Sequence, residues 1–154
     1  MNYNLREIST KEFTPFRREV SLFINIPRIT KLAIGGFRED SLVAGVSFGY
    51  GSRPRHTIQK LFPSLDTKDY LEIGKMCLDD REPKNSESWF LARAISITRK
   101  QFPAVKLIFT WADALWGKPG YIYQASKEHV APAGAPLQVS VIAPLNPNGT
   151  TWRL

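Results

Sequence analysis

The chain has one cysteine, Cys77, and two widely separated histidines, His56 and His129. A lone cysteine excludes an internal disulfide and is read as a buried core residue. Two isolated histidines give no metal-ligand spacing, so no metal site is expected. No apolar run reaches the ~18–20 residues that cross a bilayer. Met1-Asn2-Tyr3-Asn4 lacks the charged-then-apolar layout of a signal peptide, so a cytoplasmic protein with no membrane contact is expected. There is also no Walker loop, no G-x-G-x-x-G and no Ser-His-Asp spacing, so no single motif assigns a chemistry.

What is present suits a globular α/β protein. Hydrophobic residues make up 43% of the 154 and aromatics 12%, enough for one real core. The charge is uneven. Residues 1–60 hold 10 Lys/Arg against 5 Asp/Glu, whereas residues 61–126 hold 9 against 8. Arg28, Lys31, Arg53 and Arg55 belong to that basic first part. An excess of this kind suits a polyanion, either nucleic acid or cofactor phosphates; a solvated basic face is the plain alternative.

Apolar Phe13, Phe16, Val20 and Phe23 recur at helical spacing and predict an amphipathic helix over 10–24, with Pro15 in its first turn. Lys31 to Gly49 reads as a β-hairpin, and Gly49 to His56 as an exposed basic loop whose tip is a candidate phosphate contact. Tyr70 to Leu78 reads as a strand. Asn85 is expected to cap the following helix by accepting from the Ser88 amide, and Leu91, Ile95, Thr98 and Phe102 share one face before Pro103 stops the run. Val105 to Trp111 is apolar on both faces, as an internal strand should be. Tyr121 to Ser126 reads as a short helix. From Lys127 the texture changes to four prolines and three charged residues, with one alternating stretch, Leu137 to Ile142, that suits a strand. Residues 1–126 are therefore read as one domain and 127–154 as a divergent tail.

In an open sheet, ligands bind beyond the carboxyl ends of the strands, where helices begin. Asn85-Ser86-Glu87-Ser88 offers helix-start amides and small hydroxyls to an anion, or simply a cap. Asp113, after a buried strand, can orient or deprotonate an amine, or accept amides in a turn. Tyr123 can donate a proton to a departing thiolate, or pack in the core.

Taken in order, Leu71-Glu72-Ile73-Gly74-Lys75, Pro83 to Phe90, Trp111-Ala112-Asp113 and Gly117 to Ala125 resemble the signature series of the Mom family of phage DNA-modification proteins. The resemblance covers roughly residues 20–126. It implies an α+β fold similar to the GNAT-type N-acetyltransferases, a mixed sheet flanked by helices in which two diverging strands admit acetyl-CoA. It also implies a transferase that places a methylcarbamoyl group on adenine N6 of double-stranded DNA and so blocks host restriction. The match carries the family's motif serine onto Ser88, its aspartate onto Asp113 and its helix tyrosine onto Tyr123, with Asn85 and Glu87 in the same signature. Two positions depart: Leu22-Phe23 stand where relatives carry a His-Tyr pair, and Lys118 where a histidine is usual.

These residues give a mechanism to expect. Acetyl-CoA lies between the strands 71–78 and 105–111, with Ser88 and the helix amides at its phosphate or pantetheine arm. Asp113 positions an extruded adenine, and Tyr123 assists thiolate departure. Because the product joins N6 to the methyl carbon, attack on the thioester alone does not complete it; a rearrangement or a bound metal has to supply the remaining step. The competing expectations are an ordinary N-acetyltransferase acting on a protein or small-molecule amine, and an inactive DNA-binding relative.

Overall fold

The computed structural model describes residues 3–20, 29–50, 58, 62–111 and 138–142. In chain order the elements are β1 (Asn4–Glu7), α1 (Thr10–Val20), β2 (Thr30–Arg38), β3 (Ser41–Gly49), a 3-10 turn (Thr67–Asp69), β4 (Tyr70–Leu78), α2 (Ser86–Gln101), β5 (Leu107–Trp111) and β6 (Gln138–Ile142). The six strands form one sheet in the order β1-β2-β3-β4-β5-β6. The first three pairings are antiparallel, whereas β4-β5 and β5-β6 are parallel, which makes the fold a mixed α+β sheet.

α1 starts from a capping box. Ser9 Oγ accepts from the Glu12 amide at 3.2 Å, and the Glu12 carboxylate accepts from the Ser9 amide at 2.9 Å. Pro15 lies inside the helix rather than in its first turn. The helix keeps its exposed face at that point, and Phe13 and Phe16 on the other face are buried with Ile8, Ala33 and Cys77. Val20 is the last described residue of the predicted 10–24 helix, and Phe23 lies outside the described residues.

α2 covers the opposite face of the sheet. Phe90, Leu91, Ala94 and Ile95 pack on Ile34, Val46, Phe48, Leu71 and Ile108. Each large side chain so buried contributes roughly 1.5–3 kcal/mol. β5 is buried on both faces, as its apolar run predicts: Ile108 joins the α2 cluster, while Leu107 and Phe109 join Ile58 and Tyr70 in another. The alternating stretch at 138–142 forms β6, parallel to β5. The short helix read over Tyr121 to Ser126 lies outside the described residues.

Glycines in the hairpin let both helices lie close to the sheet. A Cβ on Gly45 would stand 2.4 Å from Phe13 Cε2, and one on Gly36 3.0 Å from Phe90 Cε2. Gly45→Ala is therefore expected to cost about 1–3 kcal/mol, because the buried Phe13 ring has to move. Gly36→Ala should cost less, and denaturant unfolding of the two variants checks the order.

Candidate functional site

β4 and β5 begin together. They share three rungs, Tyr70↔Leu107, Leu71↔Ile108 and Glu72↔Phe109. The ladder ends there, although β4 continues to Leu78 and β5 to Trp111. The ending coincides with a bulge in β4. On the β3 side, Phe48 pairs with Ile73 but Ser47 pairs with Lys75, so Gly74 is the extra residue. A bulge bends its strand and increases the local twist, which turns the rest of β4 away from a partner paired only at its start.

α2 begins beyond the carboxyl end of β4. The connection is pinned to the sheet at Asp79, whose amide donates to Val43 O at 2.9 Å. Its carboxylate holds Arg81, accepting from Nη2 at 2.5 Å and from the Arg81 amide at 3.0 Å. Those bonds to the guanidinium and then to the amide lower the Asp79 carboxyl to about 2.

Asn85 does not cap α2 as its residue type predicts. It adopts the left-handed conformation, φ 71°, with no side-chain cap, and Ser88 Oγ instead donates back to Asn85 O at 3.1 Å. Asn tolerates that backbone region better than most residues, and an N-cap needs extended φ/ψ, so the two uses exclude each other. Ser86 and Ser88 are buried, whereas Glu87 is exposed. Among the described residues the amides of Glu87 and Ser88 have no acceptor, as expected of a first helical turn.

A hub around Tyr3 fixes this turn. The Tyr3 hydroxyl carries one hydrogen and gives it to the Glu82 carboxylate; its oxygen, 2.9 Å from Ser86 Oγ, is then left to accept from that hydroxyl. Arg38 Nη2 meets the same Glu82 oxygen at 2.5 Å. The Tyr3 ring stacks 5.4 Å from Trp89, which in turn lies under Arg93 at 5.4 Å. Burial first, and the bond to Glu82 next, push the Tyr3 phenol above its ordinary value, so it stays neutral and donating. A shallow cavity of about 330 Å³ beside the hub, lined by Tyr3, Asn4, Phe37 and Glu39, opens at the β1 edge. It lies strands away from the end of the β4-β5 ladder.

The structure thus gathers Asn85, Ser86, Glu87 and Ser88 at one end of the sheet. Lys31 sits at the other. It is exposed near the start of β2, with its ammonium 4.8 Å from the Tyr50 ring, where Thr30 pairs with Gly49 and Gly49 with Glu72. From Glu72 to Leu78, β4 spans ~20 Å at about 3.3 Å per residue. Arg28, Arg53, Arg55, Asp113 and Tyr123 lie outside the described residues. The strand ends that lead to 28 and to 53–55 are nonetheless neighbours, through the Thr30↔Gly49 pair. Among the described residues no group of His, Cys, Asp or Glu could hold a metal ion, and no helix is long and apolar enough to cross a membrane. Sequence reading missed Tyr3, Glu82 and Ser47. Ser47, 2% exposed, was the legible one, because a hydroxyl inside the apolar run Val43 to Phe48 requires a partner.

An α+β sheet with a parallel strand-helix-strand unit, its strands paired at one end only, belongs to the class in which ligands bind beyond the carboxyl ends of the strands. The comparison with known proteins narrows the class. The profile of the Mom protein family matches residues 3–129, and the chain belongs to that family. It is 33% identical over 95 residues to methylcarbamoylase mom of Escherichia phage Mu. The matched part is 62% of this chain and 39% of that protein, so the chain matches about two fifths of the relative's length.

The Asp79–Arg81 pair gives a pH test of the turn. A carboxyl lowered from 3.8 to about 2 contributes stability that is complete above the unfolded value and is lost as pH falls through about 2. Arg81→Ala should return the Asp79 titration toward its ordinary value and flatten the acid limb of stability in that window. Carboxyl NMR titration with melting curves measured across it checks both.

Proposed function

We propose that this chain is a phage DNA-modification enzyme of the methylcarbamoylase type, using acetyl-CoA to modify adenine N6 in duplex DNA and so protecting that DNA from host restriction. The observation that carries the reading is the early end of the β4-β5 ladder at the Gly74 bulge, which leaves β4 unpaired with β5 from there to its carboxyl end, beyond which α2 starts with Glu87 and Ser88 amides that have no acceptor among the described residues. Those amides and the helix dipole suit the cofactor's pyrophosphate, and the opening between the strands suits its extended arm. This arrangement accords with the GNAT-type fold that the sequence resemblance implies.

DNA approaches from the other end, where Lys31 lies and where the segments bearing Arg28, Arg53 and Arg55 leave the sheet. Adenine N6 is paired inside a duplex, so the base is extruded at a cost of a few kcal/mol, offset by phosphate contacts to this basic end. Asp113 follows β5 by two residues and orients N6 toward the bound acyl group, and Tyr123 protonates the thiolate when the thioester bond breaks; acyl transfer alone would leave an acetyl group on N6, so bonding to the methyl carbon is a separate rearrangement step. The name of the phage Mu relative supports methylcarbamoylation as the outcome. The departures at Leu22-Phe23 and Lys118 favour a second reading, an inactive DNA-binding relative.

Mass spectrometry of nucleosides from bacterial DNA exposed to the expressed protein separates the readings. Modified adenine is expected, and unmodified adenine despite good expression sinks the proposal in favour of the inactive relative. Asp113→Ala should lower modification by at least about 10²-fold with an unchanged melting curve. Calorimetric titration should show acetyl-CoA binding that Ser88→Ala weakens; acetylation of amines without any DNA requirement would instead identify an ordinary N-acetyltransferase.

A further inference from the structure

We infer that Ser47 is a positioning residue, which holds the bulge at the lip of the opening between β4 and β5; its purpose rests on the function proposed above. Ser47 is 2% exposed. Both of its hydrogen bonds go to one residue across the sheet: its Oγ accepts from the Lys75 amide at 3.0 Å and donates to Lys75 O at 3.4 Å. In an ordinary antiparallel pair the facing backbone supplies such bonds. Here the extra residue, Gly74, disturbs the ladder, and the hydroxyl reaches across to serve the amide and the carbonyl of the residue that follows it.

The consequence is felt on the far side of β4. Before the bulge, Leu71 and Ile73 face the α2 cluster; after it, Met76 and Leu78 face that cluster and Cys77 faces α1. This reset alternation blocks a wholesale slip of the strand, since a one-residue shift would turn every side chain to the wrong layer. Loss of the hydroxyl therefore loosens residues 73–75 locally. Those residues are the first of β4 beyond its last rung with β5. Alanine at 47 would suit a buried strand in packing, but it can make neither bond.

The test uses the full chain and acetyl-CoA as probe. Ser47→Ala should melt within a few degrees of wild type while the Lys75 amide exchanges about tenfold faster, one lost hydrogen bond's worth. Acetyl-CoA affinity should fall by about the same factor, with KM rising more than kcat falls. Ser47→Thr, which keeps the hydroxyl, should restore both readouts, and Ser47→Cys, whose thiol hydrogen-bonds only weakly, should behave like alanine. Wild-type affinity in Ser47→Ala, or an unchanged Lys75 exchange rate, overturns the inference. A wild-type protein that binds no acetyl-CoA overturns the proposed function instead, and Ser47 as holder of the bulge is then decided by the exchange rate alone.

Discussion

Three rungs of parallel pairing between β4 and β5 are the constraint on which the rest depends. They are clamped at the beginning. The Asp69 carboxylate accepts from the Asp66 amide at 2.9 Å and meets Lys106 Nζ at 3.3 Å, and the Lys106 amide donates to Asp69 O at 2.7 Å. The residue before β4 and the residue before β5 are thereby held together. The Asp66 bond is the largest cause that lowers the Asp69 carboxyl, so the acceptor is charged at neutral pH. At the other end Gly74 bends β4. A strand pair fastened at its start and bent three rungs later opens toward its carboxyl end.

The helices make that opening usable. α2 connects the two strands, so its first turn falls at the open end, while its buried face is anchored on β2, β3 and β4. Its approach to the hairpin depends on Gly36, as that of α1 on the other face depends on Gly45. Packing alone leaves the start of α2 to fray, since first-turn amides lack intrahelical partners. The Tyr3 hub resists this from a distance: an arginine from the end of β2 and Glu82 from the connection converge on the phenol of the residue before β1, and that phenol meets Ser86. β1, an edge strand of four residues, thereby contributes to the site without lying near the opening.

The elements were legible because their signals are local. Two apolar runs around the polar Arg38-Glu39-Asp40-Ser41 gave the hairpin, the Leu91, Ile95 and Thr98 spacing gave α2, and the doubly apolar run gave β5 as an internal strand. What the pattern cannot carry is where pairing stops. Alternation shows which face a residue takes, and it shows a bulge only when one is already suspected: Ile73 and Met76 on the same face are three apart, which reads equally well as noise. Asn85 failed for a different reason, because one residue type serves both an N-cap and a left-handed turn. Pro15 was misplaced because the helix starts well ahead of its first apolar residue, Phe13: the cap is Ser9, and the Ser9-x-x-Glu12 box was the signal. Tyr3 to Glu82 spans 79 positions, and no local rule reaches that far.

Under the proposed function the protein handles two polyanions, and the geometry keeps them apart. Acetyl-CoA and duplex DNA both bring phosphates, and a shared basic surface would make each compete with the other. The start of α2 and the Lys31 end of the sheet are separated by most of the length of β4, ~20 Å. That exceeds the ~8 Å Debye length at physiological ionic strength, so phosphate at one end is largely screened from phosphate at the other. The two ends also attract by different means. At α2 the attraction comes from amides and a dipole, with Glu82 already neutralising Arg38. At the opposite end Lys31, an exposed lysine, supplies full positive charge. Amide donors favour a compact pyrophosphate held in one orientation, whereas flexible cations follow a phosphate backbone without fixing its sequence. Only near the Gly74 bulge, between the two ends, do the reacting portions have to meet.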